Sequence, residues 1–376
     1  MRTFLKIFSI IIYLFLAYIF SARIKNLKEK KSAKKILFIY LLLIVVMSYF
    51  FNCYYEIDLT RLQERLMTFS KMTLDDFIKN VFTVTNYSEY TYFFLISRFN
   101  NPNLLQTITS LIFYSIVFYT MYDYYVRSEM SNISLGNTLF LFMLCGPFVG
   151  VISGIRTYLA IVIIYLCIYR EFLKNSNPFV NLPLYFIAIG MHNAVLPIVI
   201  VRFIWLIFQK EKKIIYKIIN IIIALSLFYL FIKNGTEIIN YTYNRANLYL
   251  DNNIYTNIYG YIVAIINFII MLLFHINIKR TLKKDYYLSK YLRFISLIII
   301  VAFIFISQYS IFTRYIGACF IFNIPIFMYS FNFLKQSINQ SYKHNFYFVY
   351  YLLIASNIII YYIFGDNSLI NFFNIY

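Results

Sequence analysis

From Leu135 to Tyr169 the chain runs thirty-five residues with a single charge, Arg156. A stretch this apolar is long enough to cross a hydrocarbon core twice with short spans, at about 1.5 Å per helical residue. Similar runs recur along the sequence, separated by short basic loops. Inside lipid the backbone has no water to bond, which leaves only helices and closed barrels. The runs are continuous rather than alternating, and this selects helices over barrel strands. The expected fold is an all-α polytopic integral membrane protein, residues 1–376 forming one transmembrane domain of about eleven to thirteen spans.

Composition agrees. Hydrophobic residues make up 61% of the chain and charged residues 13%, far from a soluble globular balance. The net charge of +19 does not point to nucleic acid. Its lysines cluster in short loops between apolar runs, as at Lys28, Lys30, Lys31, Lys34 and Lys35, which is how cytoplasmic loops look. Cys53, Cys145, Cys167 and Cys319 are too widely spaced for a metal site or a disulfide framework. Interfacial belts and AT-rich codon usage both account for the many Tyr and Phe residues, so no tyrosine is a candidate catalyst.

Placing the lysine-dense loops on the cytoplasmic side orients the rest. The first run, Ile7 to Phe20, is followed by more basic charge than precedes it, so it reads as an uncleaved span with an outer N-terminus. Residues 52–80 form a nearly neutral outer segment. Leu59, Leu62 and Leu66 share one helical face there, and so do Leu74, Phe77, Ile78 and Val81. Thr73 with Asp76 three residues on resembles a capping box. The run 87–99 is too short to cross fully. Residues 179–208 make a tight hairpin turning at Met191-His192-Asn193, 233–257 form a second outer loop, and Ile316 to Phe333 is read as one continuous span.

This orientation brings Arg156, His192, Arg245 and Arg314 to the outer face, against the usual bias. Guanidinium stays charged and offers forked donors to phosphate oxygens, so three outward arginines suit an anionic lipid headgroup such as a lipid-linked diphosphate. The purely structural alternative is that each pairs with Asp58, Glu89 or Asp251 and only orients helices. His192, at the hairpin tip, is a candidate general base toward a sugar hydroxyl. Asp58 is a second catalytic candidate, with N-capping as its structural alternative. Glu89 and Arg98, which bracket an aromatic segment, are supporting candidates. His275 and His344 look incidental and near the cytoplasmic side. No ligand spacing suggests a metal.

Several phrases occur in order: an acidic outer motif ending in Asp58, a Glu-led aromatic segment from Glu89, and Gly154-Ile155-Arg156-Thr157-Tyr158-Leu159-Ala160. Met191-His192-Asn193-Ala194-Val195-Leu196 and Thr313-Arg314-Tyr315-Ile316-Gly317 follow. Together, over roughly residues 50–330, they resemble the EpsG-like branch of the Wzy, or O-antigen, polysaccharide polymerases. The chain departs from that pattern at Ile57, Tyr90 and Thr157. The resemblance implies a GT-C-like fold and a glycosyltransferase at the outer face of the bacterial inner membrane. Such an enzyme joins oligosaccharide repeat units carried on undecaprenyl diphosphate, as donor and acceptor, and makes O-antigen, capsule or exopolysaccharide. It implies no cofactor and no metal, and leaves room for a chain-length regulator as partner. Arg156, Arg314 and Arg245 would then hold the donor diphosphate. Two other readings stand beside this one: an O-antigen ligase, which usually has a larger outer loop, and a non-enzymatic flippase or transporter, which would show internal repeats and mid-membrane charge.

Overall fold

Helices account for the regular structure. The computed structural model describes residues 2–51, 58–145, 148–208, 218–226, 229, 254–279, 281–282, 285–306, 309–336, 346–347 and 349–353, and no strand occurs among them. The first six helices are α1 (Arg2–Lys25), α2 (Lys30–Tyr49), α3 (Asp58–Ser70), α4 (Leu74–Val81), α5 (Tyr87–Ser97) and α6 (Leu104–Arg127). Next come α7 (Asn132–Cys145), α8 (Phe148–Ser153), α9 (Ile155–Leu173), α10 (Leu182–Met191) and α11 (Leu196–Ile207). The last four are α12 (Ile254–Lys279), α13 (Tyr286–Ile304), α14 (Tyr309–Phe322) and α15 (Ile324–Gln336).

The protein is an all-α polytopic membrane protein. Among the described residues, α2, α6 and α13 are each long and apolar enough to cross a bilayer, and the bent pair α14–α15 makes a fourth if it is one broken span rather than a re-entrant loop. The count covers the described residues only, and several expected spans do not enter it. Helices α7, α10 and α11 are apolar but short. Helix α9 has the length, yet Arg156, Arg170 and Glu171 lie within it. The expected span 346–364 falls largely outside the described residues, and 214–232 falls outside them in part.

Local chemistry explains several boundaries. The Thr73 side chain accepts from the Asp76 amide at 3.2 Å and donates to the Asp76 carboxylate at 2.6 Å, so α4 begins where the capping pattern placed it. Asp75 and Asp76 in its first turn and Lys79 in its last suit the helix dipole. Pro183 and Pro197 occupy the first turns of α10 and α11, where no amide hydrogen is needed. With eleven residues α5 spans only about 16 Å, too short for a crossing, as expected.

Helix α9 is the hub, packing on α6, α10, α13 and α14, and most of its side chains are buried. Lipid supplies little hydrophobic drive for such contacts, so close packing and hydrogen bonds carry them. The α1–α7 seam shows both. Tyr13 donates to the Met143 carbonyl at 2.8 Å and Ser21 to the Gly136 carbonyl at 2.7 Å. A Cβ on Gly136 would lie 2.6 Å from Lys25 Cγ and 2.8 Å from the Ser21 carbonyl oxygen. Gly136→Val is therefore expected to cost about 1–3 kcal/mol through overpacking, read as a lower unfolding temperature of the purified protein. A variant as stable as wild type would contradict this seam.

The expected span 316–333 is not straight. It bends by 48° between α14 and α15, at Asn323. Tyr291 donates to the Phe322 carbonyl at 2.5 Å, satisfying a backbone group at the break. His275 is not incidental: it is buried in the bundle, with Nε2 2.6 Å from Asn323 Oδ1 and Nδ1 2.9 Å from Ser296 Oγ.

Candidate functional site

The short helix α5 reaches its place because α10 offers a glycine. A Cβ on Gly190 would lie 2.6 Å from the Tyr87 ring and 2.7 Å from Ser88 Oγ, and Tyr87 donates to the Phe186 carbonyl at 2.6 Å. This seating puts Glu89, 1% exposed, into the protein interior. Two arginines meet it there. Arg65 Nη1, from α3, lies 2.5 Å from Glu89 Oε1. Arg156 Nη1, from the first turn of α9, lies 3.4 Å from Oε1 and 3.5 Å from Oε2. Part of the structural alternative is thus realised, since Arg156 does pair with Glu89. Yet the Arg156 and Arg65 side chains remain 32% and 44% exposed, and one carboxylate faces two cations.

His192 sits at the turn between α10 and the short 3-10 helix Asn193–Val195, outside the helical segments on either side, with extended backbone. Its Nδ1 accepts a hydrogen bond from the Ala194 amide at 3.1 Å. Burial, then the charge of Arg314 and that of Arg156, hold the imidazole well below the ordinary histidine range. Both arginines are thus close enough to His192 to act on its charge. The ring is neutral, and with Nδ1 engaged as acceptor its proton resides on Nε2. This geometry changes the chemistry expected of it: Nε2 is presented as a donor, whereas a general base needs a lone pair there.

Arg314 lies within α14, a turn beyond its start, rather than in a loop before the span. Its neighbour Tyr315 donates to the Ala194 carbonyl at 2.8 Å, tying α14 to the residues that follow His192. The phrases around Arg156, His192 and Arg314, distant in sequence, therefore converge at one end of the bundle, with Glu89 beside them.

The other candidates fare differently. Asp58 is the first residue of α3, but its side chain lies outside the described residues, as does Arg245. Arg98 does not join the cluster. It donates from Nη2 to the Phe69 carbonyl and stacks 4.3 Å over the Phe94 ring, strapping α5 to the end of α3. Cys145, Cys167 and Cys319 are free and buried, and Cys53 lies outside the described residues.

Two features escaped the sequence reading. One is Arg65, which looked like an ordinary charge in a mixed outer segment. The other is a buried ion pair at the opposite end of α9. Arg202 Nε lies 2.6 Å from Glu171 Oε2, while Asn181 and Tyr185 donate to Oε1 at 2.9 and 3.0 Å. Arg202 interrupts an apolar run as Arg156 does, so a signal for it existed. Near this end Asp123 accepts from Tyr169 at 2.6 Å and from Lys174 at 3.0 Å, joining α6 to α9.

Comparison with known proteins gives a family match over most of the chain. The EpsG family model matches residues 86–374, a range that includes Glu89, Arg156, His192 and Arg314. No curated protein and no solved structure matches. On that match, together with its apolar helical bundle, the chain belongs to the EpsG family and is a multi-pass membrane protein of polysaccharide biosynthesis with a polymerase-like function.

Proposed function

We propose that this protein polymerises lipid-linked oligosaccharide repeat units at the outer face of the bacterial inner membrane. What supports the reading is the meeting of the Arg156, His192 and Arg314 phrases at one end of the bundle. There Tyr315, next to Arg314, bonds to the Ala194 carbonyl at 2.8 Å, and burial, Arg314 and Arg156 hold the His192 imidazole below the ordinary histidine range. Fixed cations beside a neutral N–H donor suit a leaving diphosphate, which gains charge as the glycosidic C–O bond breaks. The donor is a saccharide chain on undecaprenyl diphosphate, and the acceptor is a hydroxyl of a second lipid-linked unit.

In the step, the acceptor oxygen bonds to the anomeric carbon as the bond to the diphosphate oxygen breaks with its electron pair. The released prenyl diphosphate or water takes the acceptor's proton. Arg156 and Arg314 bind the diphosphate, and Arg245 is assigned with them. His192 Nε2 donates to a phosphate oxygen, while Asp58, at the start of α3, is the remaining candidate to orient the acceptor hydroxyl. Glu89 holds Arg156 in place.

Deletion of the gene, followed by gel display of surface polysaccharide, tests the assignment. Loss of polymerisation leaves core carrying one repeat unit. Bare core with repeat units on the outer face would point to a ligase, and bare core with units stranded inside to a flippase. An unaltered ladder would remove all three readings.

A further inference from the structure

We infer that Arg65, on the amphipathic helix α3, is a second guanidinium of the diphosphate site, held beside Arg156 by the shared carboxylate of Glu89. The inference rests on the lipid-diphosphate reading and adds a residue to it. Arg65 lies outside residues 86–374, so the family match assigns it nothing.

Helix α3 is firmly seated. Leu59, Leu62, Leu66 and Phe69 are buried, α3 packs on α5 and α8, and Gln63 donates to Gln106 of α6 at 2.9 Å. The Arg65 guanidinium is positioned from several sides. Its Nη1 contacts Glu89 Oε1, and its centre stands 5.7 Å from the Phe69 ring and 5.5 Å from the Phe93 ring. Arg156 reaches the same Oε1 at 3.4 Å. Two guanidiniums are therefore neighbours, their geometry set by a buried anion.

Charge and donor count point to a ligand. A single carboxylate against two guanidiniums leaves a net positive charge. Each guanidinium carries five N–H donors, of which Glu89 uses few. Both side chains are also partly open to the surroundings, Arg65 more so than Arg156. A sugar–diphosphate–prenol carries one ionised oxygen on each phosphorus, so paired guanidiniums match paired phosphates, and each takes a forked contact. A monophosphate fills only half of that arrangement.

The test measures binding of geranylgeranyl diphosphate and geranylgeranyl monophosphate to the purified full-length protein in detergent. Wild type is expected to prefer the diphosphate by at least about tenfold, and Arg65→Ala to shrink that preference to about threefold or less. Arg65→Lys retains charge without the fork and falls between them, and Lys79→Ala on α4 leaves the preference intact. If Arg65 only clamps α3 to α5, Arg65→Ala weakens both ligands equally and the preference persists, which overturns the inference while the lipid-diphosphate reading stands. Wild-type protein that binds neither ligand overturns both. Unfolding temperatures identify any variant that fails to fold, in which case Arg65→Gln and Arg65→Lys supply the ratio.

Discussion

Arg156→Ala is expected to lower polymer formation by at least about 100-fold, the scale of removing one fixed donor from a developing oxyanion, with folded protein present near the wild-type amount. The second half of that expectation comes from Arg65. Removing Arg156 leaves Glu89 its 2.5 Å partner, so no buried carboxylate is orphaned and the fold keeps its reason to hold. His192→Ala is expected to act similarly on rate. The pH dependence separates a donor from a base. A histidine of ordinary range working as a base would lose activity as the pH falls through about 6.5. Burial and the two arginines hold His192 neutral to well below that value, so activity persists at about pH 6. The stability consequence has a definite sign. The folded ring refuses a proton that the unfolded chain accepts, so this contribution is full above about pH 6.5 and is lost as the pH falls below it. Wild-type activity tracking a titration near 6.5 would contradict the neutral-donor assignment.

The largest stability effect is expected at Glu171. Glu171→Ala leaves Arg202, 3% exposed, as an unpaired buried charge, at a cost of about 3–5 kcal/mol. Arg202 Nη1 already lacks a hydrogen-bond partner among the described residues, and stacking on Phe172 at 4.4 Å replaces neither. The double variant Glu171→Leu with Arg202→Met is expected to recover most of the loss, because buried ion pairs seldom outperform well-packed apolar side chains. Unfolding temperature and yield of the purified variants measure both. A single variant as stable as wild type, or a double variant worse than the single, would overturn this account of the pair. The pair also matters to the site. It fixes the base of the α10–α11 hairpin against α9, and the tip of that hairpin carries His192 while the far end of α9 carries Arg156.

The helical membrane fold was legible because uninterrupted apolar runs and basic loops follow directly from the physics of lipid. The capping pattern at Thr73 and the short α5 were legible for similarly local reasons. Arg156, Glu89, His192 and Arg314 were legible because a charge or a lone histidine against an apolar background stands out. What stayed hidden depends on pairing in three dimensions. Arg65 lies among Glu56, Asp58, Arg61 and Glu64, where one charge looks like any other. Its meaning appears only when α3 folds onto α5. The donor role proposed for His192 rests on one backbone amide, from Ala194, that no side-chain pattern encodes. The 48° bend at Asn323 was equally invisible, since its partners, His275 and Tyr291, come from other helices.

The most direct measurement of the central claim is turnover by purified protein in lipid, given a synthetic prenyl-diphosphate-linked repeat unit as both donor and acceptor. Wild type should build a ladder of saccharide chains and release one prenyl diphosphate per new linkage, while folded Arg156→Ala and His192→Ala protein should build almost none. A folded wild-type protein that forms no linkage, or variants that build the ladder at the wild-type rate, would contradict it.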